Sequence, residues 1–126
     1  MERRTLVFTA VAGHLLLTAL HGFVHVAIPV FPNGRTAVVA VVALYVLPVV
    51  GAGLVARSHH RVGAAVLFGA GVVSLAFEGT LHFLVGNPDH VAHVVNHQTP
   101  FKVTAVLTTA GDLLLVGAAW LSVQGS

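Results

Sequence analysis

Residues 5–31 read TLVFTAVAGHLLLTALHGFVHVAIPVF. The run is long enough to cross a hydrocarbon core of about 30 Å as a helix. It nevertheless carries His14, His21 and His25, and an imidazole is costly to expose to acyl chains. At 100° per residue, His14, Thr18, His21 and His25 fall within about 60° of one another. The stretch therefore predicts a membrane-spanning helix with a single polar stripe, turned away from lipid toward other helices.

Three further apolar runs supply those helices. Pro29, Pro32 and Asn33-Gly34 mark a turn after the first span, and a second run follows over 36–56. Arg57-Ser58-His59-His60-Arg61 separates it from a third over 62–85, which Gly86-Asn87-Pro88 stops. A fourth covers 101–123. The expected fold is an all-α membrane protein, a four-transmembrane-helix bundle forming one domain over residues 1–126. In the third loop Asn87, Pro88 and Asp89 carry N-cap, first-turn and dipole signals, so a short interfacial helix is expected over 88–97.

Composition agrees with this class. The 126 residues are 56% hydrophobic and only 8% charged, against about a quarter charged in soluble domains, and mean hydropathy is +0.92. Four spans use nearly the whole chain, leaving no room for a soluble catalytic domain. Glu2-Arg3-Arg4 resembles the start of a signal peptide. The apolar stretch is too long for one and lacks a clean cleavage site, so an uncleaved span is expected. Arg3, Arg4, Arg57 and Arg61 fall on one side, Arg35 and Lys102 on the other, which places both termini in the cytoplasm of a multi-pass cell-membrane protein. The basic residues are scattered rather than clustered, which argues against a nucleic-acid partner. The expected partner is the lipid bilayer, with a homo-oligomer or a larger membrane complex as further options. Without cysteine there is no thiolate, disulfide or iron–sulfur chemistry.

Polar residues repeat the helical stripe elsewhere. Ser74, Glu78 and His82 step by four along the third span, and Thr104, Thr108 and Asp112 along the fourth. The second span has little beyond Tyr45, and its Pro48 should release the Leu44 carbonyl and kink the helix. Gly51, Gly53, Ala65, Gly69, Gly111 and Gly117 are candidates for close helix approach. Antiparallel spans then give two layers of polar groups. The outer holds His21, His25, Glu78 and His82, and the inner holds His14 and Asp112.

His-x-x-x-His and Glu-x-x-x-His each place two ligands one helical turn apart, a spacing that lets both reach one metal ion. Imidazole with carboxylate suits Zn, Fe(II), Mn, Ni or Cu(II). The expected metal ligands are His21, His25, Glu78 and His82, with His93 and His97 of the loop as lid ligands. Haem b held by two histidines is a second version of the same idea. His14 and Asp112 read as a buried polar pair or part of a proton relay. The functions compatible with these groups are metal handling, electron transfer or membrane-enzyme assembly. The alternatives are a proton-coupled or metal-ion transporter, or a structural subunit whose polar stripes only bond helix to helix. No enzyme motif is present to name a reaction.

Overall fold

The computed structural model describes residues 2–31 and 33–124 and is all-helical among them. Four helices are long and apolar enough to cross a membrane: α1 (Arg3–Ala27), α2 (Gly34–Ala56), α3 (His60–Leu84) and α4 (Gln98–Gln124). Pro32, read as part of the first turn, lies outside the described residues. The first helix ends four residues earlier than expected. Pro29 disfavours a helical residue before it, and Ile28 leaves the helix at φ −101° and ψ 10°. The fourth begins three residues earlier, because Pro100 is tolerated in a first turn, where its missing N–H has no intrahelical partner to lose.

The helices form a ring in which α1 packs on α4, α4 on α3, and α3 on α2. The midpoint and second half of α2 close back onto α1. Thus α1 and α3 meet diagonally, through their side chains, across the bundle axis. Arg4 donates to the Ala56 carbonyl at 3.2 Å, tying the start of α1 to the end of α2 at one end of the bundle. Large apolar side chains such as Leu16, Phe23, Leu84 and Leu114 point outward. The interior is partly polar, with His14, His21, Glu78, His82 and Asp112 all buried. Two apolar plugs seal it. Val7, Val11, Val55, Leu67, Leu115 and Ala119 close one end. Val24, Ile28, Val94 and Phe101 close the other.

Two π-helical turns interrupt the spans, Val42–Val46 in α2 and Thr80–Leu84 at the end of α3. The first, with Pro48 just beyond it, leaves two carbonyls of α2 without their usual donors. Side chains from other helices supply them. His14 Nε2–H donates to the Leu44 carbonyl at 2.9 Å, and Ser74 Oγ–H to the Ala43 carbonyl at 3.3 Å. The carbonyl that Pro48 was expected to free is therefore held by a ring from α1. Tyr45 adds a third tie, its hydroxyl donating to the Thr18 carbonyl at 3.1 Å.

The helix expected over 88–97 is not formed, and that expectation is corrected: the segment is a run of turns. Its backbone groups bond partly within turns, as His93 N–H does to the His90 carbonyl at 2.8 Å, and partly with the bundle. Val91 N–H donates to the His82 carbonyl at 3.0 Å, and the Asp89 carbonyl accepts from His82 Nδ1–H. Asn87 does not cap a helix; its amide donates to the Leu81 and Val85 carbonyls, and its Oδ1 accepts from Asp89 N–H.

Of the glycines expected at close helix approach, Gly51 and Gly111 are so placed, and Gly63 and Gly71 join them. Gly53, Gly69 and Gly117 face open space, whereas a Cβ on Gly63 would lie 2.7 Å from the Gly51 carbonyl oxygen and 2.8 Å from Val55 N. That backbone cannot move without separating α2 from α3. Gly63→Ala is therefore expected to destabilise the bundle by about 1–3 kcal/mol, read as a lower unfolding midpoint in detergent. Gly69→Ala, at an open position, should leave the midpoint unchanged or slightly raised.

Candidate metal centre

At the end of the bundle that carries the 86–97 loop, His21 and His25 of α1 meet His82 of α3. His21 Nε2 lies 3.0 Å from His82 Nε2 and 3.1 Å from His25 Nε2. His21 and His82 are buried and His25 nearly so. Each ring offers one nitrogen to a common point, and this buried cluster could hold a metal ion.

The opposite edges of the rings decide what those nitrogens carry. His25 Nδ1–H donates to the Val30 carbonyl at 2.7 Å, and His82 Nδ1–H to the Asp89 carbonyl at 2.9 Å. A carbonyl only accepts, so both rings hold their proton on Nδ1. His21 Nδ1 faces Thr104 Oγ1 at 2.8 Å, and that hydroxyl spends its single hydrogen on the Pro100 carbonyl at 2.8 Å. It must accept from His21, which is thereby protonated on Nδ1 as well. In the neutral rings the Nε2 lone pair of His21 therefore faces those of both His25 and His82 at hydrogen-bond distance.

Negative charge sits on both sides of these rings. Glu78 Oε2, one turn below His82 on α3, is 2.8 Å from His82 Nε2, close enough to share a proton or a metal ion with it. Asp89 of the loop lies behind the rings, with Oδ1 3.4 Å from His25 Nδ1 and Oδ2 3.7 Å from His82 Nδ1. Burial pushes the Asp89 carboxyl up, against the downward pull of His25 and His82. Phe101 of α4 is fully buried and packs against all three imidazoles, with ring centroids 5.1, 5.3 and 5.4 Å away. It walls the cluster off on the α4 side.

Comparison with protein-family models, curated proteins and solved structures finds no match to this chain. The chemistry of the site is read from its own geometry.

Of the expected ligands, His21, His25 and His82 come together, and Glu78 joins through His82. His93 and His97 do not. Both are exposed, and His93 Nδ1–H is spent on the Asn87 carbonyl at 2.9 Å. His97 stands at φ 51° immediately before α4. The inner layer forms separately: His14 Nδ1 lies 2.9 Å from Asp112 Oδ1, with both side chains fully buried. Between the layers, Thr18 and Thr108 hydroxyls bond at 3.3 Å. The polar stripes of α1 and α4 thus pair as three rungs, His14 with Asp112, Thr18 with Thr108, and His21 with Thr104.

Thr104, Asp89, Phe101 and the Val30 carbonyl were not assigned to the site from sequence. Thr104 had a signal, its four-residue spacing from Thr108. Asp89 was visible only as a charge beside a helix start, and a backbone carbonyl has no signature in sequence.

Proposed function

We propose that this protein handles a metal within the membrane, binding one first-row divalent transition-metal ion through His21, His25 and His82, with Glu78 supplying a carboxylate. The supporting observation is the convergence of three Nε2 lone pairs whose Nδ1 protons are already committed elsewhere. The His21 lone pair, in contact with the other two, is repelled by both. Each proton placed between them charges an imidazole in a buried site. A single cation bonds all three at once. Donors around a tetrahedral ion with bonds of about 2.0–2.1 Å stand roughly 3.3 Å apart, and roughly 2.9 Å apart at right angles. The 3.0 and 3.1 Å separations need only small adjustment to either.

Metal-ligating histidines characteristically donate the other ring proton to a carbonyl or carboxylate, which fixes tautomer and orientation. The Val30, Asp89 and Thr104 contacts have this form. Haem b is not favoured. A porphyrin between two axial rings needs a planar slot, whereas His21 meets His25 and His82 edge-on at centroid distances of 4.6 and 4.7 Å, with Phe101 against all three. Four apolar spans and the arginine distribution support a bilayer protein with both termini cytoplasmic and the metal near the outer face.

Equilibrium dialysis of detergent-purified protein against Zn²⁺ or Co²⁺ should give one ion per chain, and a ratio near zero would overturn the reading. Affinity should fall as pH drops, because protons compete for the same lone pairs. Asp89→Asn keeps the backbone carbonyl that accepts from His82 Nδ1–H and removes only the carboxylate charge behind the rings, so binding is expected to weaken by about tenfold while keeping one ion per chain. Unchanged affinity in that variant would remove the Asp89 carboxylate from the site.

A further inference from the structure

The buried groups that metal binding does not use are His14 and Asp112, and their geometry forces a proton onto them. His14 Nε2–H is held by the Leu44 carbonyl, which can only accept. If the ring is neutral, its Nδ1 is a bare lone pair 2.9 Å from Asp112 Oδ1. Two acceptors in that contact, sealed from water, are tolerable only with a hydrogen between them. Either His14 is an imidazolium beside a carboxylate or Asp112 is a neutral acid. In both cases the pair holds one extra proton and no net charge.

We propose that the His14–Asp112 pair is a proton-binding site linked to the metal centre, releasing its shared proton to water when a divalent cation occupies the histidine cluster. This rests on the metal reading above. The coupling is Coulombic: Glu78 and Asp89 already stand beside the cluster, and the cation adds two positive charges there, which weakens proton binding at the pair below. Asp112 lies two rungs below Thr104, about 12 Å along α4. At that separation and an effective dielectric near 20, one added unit charge shifts a proton affinity roughly tenfold, and two roughly a hundredfold. Bulk salt cannot screen the interaction, since both sites are buried between the apolar plugs. The Thr18–Thr108 hydroxyl pair is the polar rung between them. The other titratable groups of this interior are Glu78 on α3, Tyr45 on α2, Asp89 of the loop and the cluster histidines. Asp112 Oδ2 is buried with no donor, so the ionised form is not stabilised by any other described group, and its charge responds to the cluster.

The test is calorimetric titration of Zn²⁺ into the full chain in detergent at pH 7.5, repeated in buffers of different ionisation heat. The slope counts protons released per ion bound. Wild type should release about one more proton than Asp112→Asn and about one more than His14→Gln, whose amide can still donate to the Leu44 carbonyl. If either folded variant binds Zn²⁺ with the wild-type proton count, the linkage is refuted and the metal site stands. If wild type binds no Zn²⁺, the metal reading itself has failed.

Discussion

Conversion of His82 to alanine is expected to lower affinity for a divalent transition metal by at least about 100-fold, beyond the roughly 10–100-fold typical of losing a partner one shell out. His82 is the imidazole that α3 brings to the cluster. Its Nε2 touches both His21 Nε2 and Glu78 Oε2, so without it the α1 histidines lose their link to the carboxylate. The effect should be confined to binding if the bundle survives, and helicity by circular dichroism checks that. His82→Gln, which keeps a polar side chain but offers no imidazole, should fail to bind in the same way. Wild-type affinity in either variant contradicts the assignment. His93→Ala is the internal control: its ring is exposed and bonded to the Asn87 carbonyl, and binding should not change.

The second large effect is on stability. His14→Leu removes two things at once, the donor to the Leu44 carbonyl and the partner of Asp112. Breaking a buried pair by deleting one member typically costs about 3–5 kcal/mol. Protonation of Asp112 should offset part of that, so a loss of about 3 kcal/mol is expected. Adding Asp112→Leu should restore some of it, because an apolar pair replaces an uncompensated polar group. Unfolding midpoints of the two single variants and the double variant close the cycle. Additive losses would mean that the residues do not act as a pair. Incomplete recovery is expected, since no leucine can satisfy the Leu44 carbonyl that Pro48 leaves open.

Both predictions rest on contacts of unequal legibility in the sequence. The four helices are visible because apolar runs of sufficient length have few other uses. The polar layers are visible because helical spacing fixes which residues share a face. His21 and His25 are four apart, as are Glu78 and His82, and antiparallel spans bring His14 level with Asp112. What spacing cannot convey is which ring edge points inward. That is set by carbonyls freed where helices break: Val30 beyond the end of α1, Leu44 above Pro48, and Asp89 in the loop. Only the Leu44 carbonyl was predictable, because proline names the acceptor it exposes. The π-helical turns have no local sequence signal and reflect tertiary demand. Residues 88–97 carry valid helix-start signals, yet tertiary bonds to His82, Leu81 and Val85 outcompete the few hydrogen bonds so short a helix could form. Phe101 reads as an ordinary apolar residue near the start of a span, and its place against three imidazoles depends on how α4 is rotated.

X-ray absorption at the zinc edge of Zn²⁺-loaded protein tests the central claim most directly. The account predicts three imidazole nitrogens at about 2.0–2.1 Å and at least one oxygen, with the imidazole scattering reduced in His25→Ala. A shell of oxygens without imidazole scattering, or one indifferent to His21, His25 and His82, would contradict it.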